Sequence, residues 1–115
     1  MLIFHITSQG AWEAALTRGE YTADSLLTEG FIHCSDPHQF LWVANQRFRG
    51  RGDLVLLHID PSGLDAQIRH ENLEGGSEQF PHVYGAIPVS AVVNVTPLRP
   101  STDGTFGESE HEPST

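Results

Sequence analysis

Short apolar runs separated by glycine, proline and polar residues predict a chain of short strands and helices. The clearest run is Leu-Val-Leu-Leu-His-Ile between Asp53 and Asp60, with a glycine-rich turn before it and Pro-Ser-Gly after it. Such a run is typical of a central strand, buried on both faces. Weaker runs predict further strands at 2–6, 31–34, 66–71, 80–85 and 92–98.

Apolar residues at helical spacing predict two helices and a helical turn. The first helix covers about 9–16 and stops at Gly19, and the helical turn covers 24–28. The second helix is expected to begin at Asp36, with Pro37 in its first turn, and to reach about Phe48. Together these elements predict an α+β fold with two or three short helices and a mixed sheet whose strand order departs from chain order.

The composition changes at Arg99, where proline, serine, threonine, glycine and glutamate become dominant. Such a segment buries too little apolar surface to offset the entropy cost of ordering it. We therefore expect residues 1–98 to form a single globular domain and residues 99–115 to form a disordered acidic tail. Removal of the tail from about Thr102 is expected to leave stability unchanged.

Charge and cysteine content narrow the classes of partner and compartment. The 115 residues include 15 acidic residues against six arginines and no lysine, for a net charge of −9, which argues against nucleic acid as a general partner. The single cysteine, Cys34, excludes an intrachain disulfide and points to a reducing compartment. The N-terminus lacks the features of a signal peptide, and no apolar run is long enough to span a bilayer. A cytoplasmic protein without membrane contact is expected, and the oligomeric state is left open.

Three predicted strands each carry a histidine with a hydroxyl side chain two residues away. The pairs are His5 with Thr7, His33 with Ser35, and His82 with Tyr84. Because strand side chains alternate between faces, each pair lies on one face of its strand. A cleft that gathers the three histidines would support acid–base chemistry or ligand binding. By the same alternation Cys34 faces inward as a structural thiol, and His58 lies within a buried run and is interpreted as structural.

The motifs IFHITS, EGFIHCS followed by Gln39, and FPHVYG resemble those of the uncharacterised family called domain of unknown function nine-five-two. The resemblance covers about residues 2–98. That family in turn resembles the ADP-ribosyltransferase superfamily, which implies a split β-sandwich with a nucleotide cleft between two sheets. A glycosyl- or phosphotransferase-like enzyme that uses NAD as its substrate is the activity that this resemblance implies.

The resemblance also implies roles for individual residues. His5 corresponds to a first-strand histidine that contacts the ribose of NAD, and His33 to a residue lining the cleft that is a histidine in the RNA 2′-phosphotransferase branch. Ser35 and Gln39 extend that wall, and His82 or Tyr84 lies near the third motif. Many transferases carry a catalytic glutamate in that motif, whereas FPHVYG contains no acidic residue and is only flanked by Glu71 and Glu78.

Three functions remain open from the sequence. The first is a domain that binds or acts on NAD, ADP-ribose or a phosphorylated derivative, with His5, His33 and His82 as catalytic residues. Its ligand-binding residues are then Thr7, Ser35, Gln39, Tyr84 and Glu71. The second is a non-catalytic module that binds a small molecule or a protein, which the missing carboxylate favours. The third is a three-histidine metal site, although the histidines lack the short paired spacing that is typical of metal motifs.

Overall fold

The structure is a computed structural model, and it describes residues 1–73 and 75–107. It has an α+β architecture in which every strand pairing between the named strands is antiparallel, so the expected mixed sheet was wrong. Within the described part of the chain, no helix is long and apolar enough to cross a membrane. The helices are α1 (Gln9–Arg18), α2 (Asp24–Thr28) and α3 (Phe40–Arg47), and the strands are β1 (Ile3–Ser8), β2 (Glu20–Tyr21), β3 (Ile32–His33), β4 (Leu54–Ile59), β5 (Ile68–Glu71), β6 (Phe80–Val83), β7 (Ile87–Pro88) and β8 (Val92–Leu98).

The main sheet has the order β1-β4-β8, with β4 in the centre as its unbroken apolar run predicts. All six residues of β4 are buried. One face of this sheet belongs to a core that includes Trp12 of α1, and the other face belongs to a second core that includes Phe40 of α3. The two faces of β4 are therefore both covered, which is why the strand shows no polar alternation.

A second sheet has the order β3-β6-β5 and carries the histidine motifs. Its register sets His33 opposite His82 and Ile32 opposite Val83. The extended chain after β3 continues to Ser35, which pairs with Phe4 of β1 and so joins the two sheets. The polar face of this second sheet is thereby held beside the start of α3.

The helix predicted from Asp36 begins four residues later, at Phe40. The backbone N–H of Gln39 bonds to the carbonyl of Asp36 at 2.9 Å, which closes a turn, and the side chain of Gln39 accepts from the N–H of Asp36 at 2.9 Å. The Asp-Pro signal therefore marks this turn, and the helix starts only where the turn ends.

The expected disorder of residues 99–115 is contradicted for the part that the structure describes. Phe106 is only 4% exposed and packs in the second core with Phe40 and Leu98. Asn45 of α3 donates to the carbonyl of Phe106 at 3.1 Å and accepts from its N–H at 2.8 Å. The chain to Gly107 thus belongs to the domain, because one aromatic ring finds a buried site that the polar composition of the segment hides. The rest of the predicted tail, 108–115, lies outside the described residues.

Candidate functional site

A cleft of about 910 Å³ lies along the polar face of the second sheet, the first turns of α3 and the loop between β5 and β6. The predicted site residues that line it are His5, His33, Ser35, Gln39, Glu71 and His82. Thr7 and Tyr84 were also predicted, and neither is part of its lining. The structure therefore brings most of the predicted residues to one place.

His33 and His82 lie side by side on the floor of the cleft. They are register partners of the antiparallel β3–β6 pair, so their side chains emerge on the same face. Their ring centroids are 5.3 Å apart in an edge-to-face arrangement. His82 is buried, whereas the His33 side chain is 41% exposed. One imidazole is thus embedded in the floor and the other reaches into the open cleft.

Apart from His5 of β1, three histidines line the cleft, and each of them has a glutamate partner. The pairs come from different segments of the chain: His82 with Glu71 at 3.0 Å, His33 with Glu29 at 3.1 Å, and His38 with Glu78 at 3.4 Å. Three carboxylates therefore lie beside the imidazoles of the cleft.

Glu71 places a carboxylate beside the histidine and the tyrosine of the FPHVYG motif. It ends β5 and lies diagonally across the hairpin from His82, where its Oε1 accepts from His82 Nδ1 and from the hydroxyl of Tyr84. The hydrogen bond from Tyr84, followed by the one from His82, lowers the pKa of the Glu71 carboxyl. The same bond to Glu71 raises the pKa of Tyr84. Tyr84 therefore acts on the cleft through Glu71 rather than by lining it.

His5, predicted as a catalytic residue, lines the cleft but is buried. Its face of β1 packs into the first core, where Nδ1 is 2.5 Å from the His33 carbonyl and Nε2 is 2.7 Å from the Tyr21 hydroxyl. Burial lowers the pKa of His5 to about 4. Thr7 ends the same buried chain, with its hydroxyl 3.0 Å from that of Tyr21. Both ring nitrogens of His5 are occupied inside the protein, so His5 supports the backbone of His33 and has no free nitrogen for a ligand.

Gln39 and Ser35 form the wall beneath the loop between β5 and β6. The buried Gln39 amide donates to the Glu78 carboxylate and, at 2.7 Å, to the carbonyl of Gln79. Gln39 is therefore tied to the loop. Ser35 is only 5% exposed and lines the cleft, and within residues 1–73 and 75–107 its hydroxyl has no hydrogen-bond partner. That hydroxyl is consequently available to a ligand.

Sequence reasoning missed the aromatic residues of the cleft. Phe31 stacks on the ring of His82 with centroids 4.1 Å apart and an angle of 17° between the planes. Phe80 and Trp42 stand at the rim, 6.2 Å apart. Phe31 and Phe80 each lie two residues before a cleft histidine, so strand alternation places both rings on the histidine face, although neither was predicted as a site residue.

Cys34 and His58 have the structural roles that the sequence predicted. Cys34 is buried in the first core, and burial raises the pKa of its thiol. His58 packs against Phe4 with ring centroids 4.8 Å apart, and its Nε2 is 2.9 Å from the Thr96 hydroxyl. Among the described residues, no group of three or more His, Cys, Asp or Glu side chains is arranged to hold a metal ion.

Comparison with known proteins gives a family but no activity. The chain is 34% identical to protein CC0527 of Caulobacter crescentus in its X-ray crystal structure, with a TM-score of 0.85 and coverage of 96% of this chain and 97% of that one. The solution NMR structure of CC0527 matches with 35% identity, a TM-score of 0.81 and 96% coverage of both chains. No curated protein matches the chain. A family model described as "Protein of unknown function (DUF952)" matches residues 6–95, and the chain belongs to that family.

Proposed function

We propose that the cleft binds a nucleotide-type small molecule, namely NAD, ADP-ribose or a phosphorylated derivative, and acts on its ribose by acid–base catalysis. The observation that carries this proposal is the pair of imidazoles on the cleft floor, His33 and His82, each held by a glutamate. A concave site with few convergent polar groups among aromatic side chains is typical of small-molecule binding, and about 910 Å³ lies within the usual range of such sites.

His82 is the acid–base group in this proposal. A neutral imidazole that donates Nδ1–H to Glu71 presents Nε2 as an acceptor, and the carboxylate fixes both the tautomer and the orientation of the ring. The stacked ring of Phe31 holds the imidazole from one side. A histidine that is oriented in this way takes a proton from a hydroxyl group and later returns it.

Glu71 supports the resemblance to ADP-ribosyltransferases, although Glu71 lies outside the third motif. Its Oε1 serves His82 and Tyr84, while its Oε2 accepts no hydrogen bond from the described residues. Cleavage of the bond between ribose and nicotinamide develops positive charge on the sugar, which a nearby carboxylate stabilises. Glu71 provides such a group beside the two histidines.

The phosphate part of the ligand requires positive charge in an otherwise acidic protein. Arg47, in the last turn of α3, lines the cleft and is the first residue of the run Arg-Phe-Arg-Gly-Arg at 47–51. We therefore expect the phosphate part of the ligand to lie near Arg47.

Ligand binding is tested by thermal unfolding with ADP-ribose, NAD, AMP and inorganic phosphate. A ligand at about 100 times its Kd stabilises the folded state by about 2.7 kcal/mol, which raises the Tm of a domain of this size by roughly 10 °C. The variant Glu71→Gln should lose most of this shift. His70→Gln is the matched control, because His70 is adjacent on β5 but faces away from the cleft. The proposal fails if none of the four compounds shifts the Tm.

Catalysis is tested by incubating the protein with NAD and measuring the nicotinamide released. Turnover that disappears in His82→Gln and persists in His70→Gln supports an enzyme. Binding without turnover by the wild-type protein would instead support the non-catalytic binding module, with the same cleft as its ligand site.

A further inference from the structure

The rim of the cleft carries two aromatic side chains that the acid–base chemistry does not use. Phe40 and Ala44 of α3 face the second core, and Trp42 lies two residues from each of them. Two residues correspond to a rotation of about 200° around a helix, so Trp42 points to the side opposite that core. Its side chain is 58% exposed and lines the cleft. Phe80 faces it from β6. An exposed tryptophan at the edge of a cavity is a feature of ligand-binding surfaces.

We propose that Trp42 and Phe80 form a subsite that binds the planar heterocyclic ring of the ligand, such as a nucleobase or a pyridine-type ring. This inference rests on the proposed function, because it assigns the ring of the same ligand whose ribose meets His33 and His82. Stacking on aromatic side chains is the usual way in which proteins hold a heterocyclic ring without reading its edges.

The spacing of the two rings is close to what a stacked guest requires. Their centroids are 6.2 Å apart and their planes differ by 28°. A third ring between them needs about 7 Å, which is twice the optimal carbon–carbon separation. The gap is short by roughly 1 Å, and the exposed Trp42 side chain is able to move by that amount.

The position of the subsite also matches a nucleoside. Phe80 and His82 lie two residues apart on one face of β6, so they are about 7 Å apart along the strand. That separation is comparable to the span from a base to the hydroxyls of its ribose. A ring beside Phe80 therefore directs the sugar toward the two histidines.

Charge at the rim limits the kind of ring that fits. Glu78 lines the same part of the cleft and is paired with Gln39 and His38. The whole chain carries a net charge of −9. An anionic ring is disfavoured, while a neutral base or a cationic pyridinium ring is favoured, the latter also by attraction to the face of Trp42.

The experiment compares ADP-ribose and adenosine with ribose 5-phosphate, which lacks the ring. The chain has two tryptophans, of which Trp12 is buried, so ring binding should change the fluorescence of Trp42. ADP-ribose and adenosine should quench the emission, and ribose 5-phosphate should not. Trp42→Ala should weaken ADP-ribose binding about 10- to 100-fold without changing the affinity for ribose 5-phosphate. Trp42→Phe should bind within a few-fold of wild type but show no quenching.

Leu27→Ala is the control, since Leu27 is an exposed apolar residue that does not line the cleft. The subsite is rejected if Trp42→Ala binds ADP-ribose as tightly as wild type, or if adenosine leaves the emission unchanged. In that case the proposed function survives when ADP-ribose still binds and Glu71→Gln abolishes its binding. Conversely, quenching by adenosine without any binding of ADP-ribose, NAD, AMP or inorganic phosphate would retain the ring subsite and refute the proposed function.

Discussion

Replacement of Phe106 by alanine tests whether the C-terminal segment is part of the domain. The ring is 4% exposed and packs among Phe40, Leu56 and Leu98 of the second core. Its removal loses the transfer free energy of the ring and leaves a cavity, a combination that costs about 3–5 kcal/mol for a phenylalanine in a core. We expect about 3 kcal/mol, the lower end, because a segment near a chain terminus relaxes into the space.

Truncation after Ser101 should cost more than this single substitution. It removes the ring together with both hydrogen bonds to Asn45, and it removes the carbonyl of Gly104 that accepts from Gly50 N–H at 2.9 Å. The half-buried side chain of Asn45 then loses partners on both its oxygen and its nitrogen. Each polar group left without a partner adds a penalty of about 1 kcal/mol or more when water does not replace it.

The assay is unfolding by urea and by heat, followed by circular dichroism. A loss of about 3 kcal/mol corresponds to a fall in Tm of roughly 12 °C for a domain of this size. Leu27→Ala should change the free energy of unfolding by less than about 0.5 kcal/mol, since Leu27 is 91% exposed. Truncation after Gly107 separates the contribution of residues 108–115. A loss below about 1 kcal/mol in Phe106→Ala would refute the packing argument and restore the interpretation of 99–107 as a disordered tail.

Three further predictions concern the first core. Burial lowers the pKa of His5 from 6.5 to about 4, so between these pH values the unfolded chain binds a proton at His5 and the folded chain does not. The free energy of unfolding should therefore fall by up to about 1.4 kcal/mol per pH unit from pH 6.5 towards pH 4. An NMR titration midpoint of His5 above 6 would contradict this. Tyr21→Phe should cost about 1–3 kcal/mol by leaving His5 Nε2 and the Thr7 hydroxyl without partners, measured by urea unfolding against a smaller loss in Tyr84→Phe. Burial raises the pKa of the Cys34 thiol, so Cys34 should resist a thiol reagent at pH 8 in the native protein and react fully in urea. Rapid reaction of the native protein would contradict this prediction, because it would show that the structure around Cys34 opens.

The sequence by itself determined the longer strands, the first helix and the faces of their side chains, but not the two-residue strands β2 and β7. The apolar run of β4 is readable because a strand covered on both faces needs no polar positions. Alternation separated His33 and Ser35 from Ile32 and Cys34, and the structure places the first pair along the cleft and the second pair in the first core. These features depend on local geometry, which a single stretch of chain specifies.

Tertiary structure decided which of these faces meet water and which meet other side chains. His5 is on the same face of β1 as Thr7, as predicted, yet that face is covered by Tyr21 from another element, so the imidazole serves the backbone instead of a ligand. Glu71 contacts His82 because the β5–β6 register sets it diagonally opposite that residue. Phe106 is ordered because Asn45 and the second core receive it. Each of these outcomes depends on contacts between residues distant in sequence, and periodicity along the chain carries no information about such contacts.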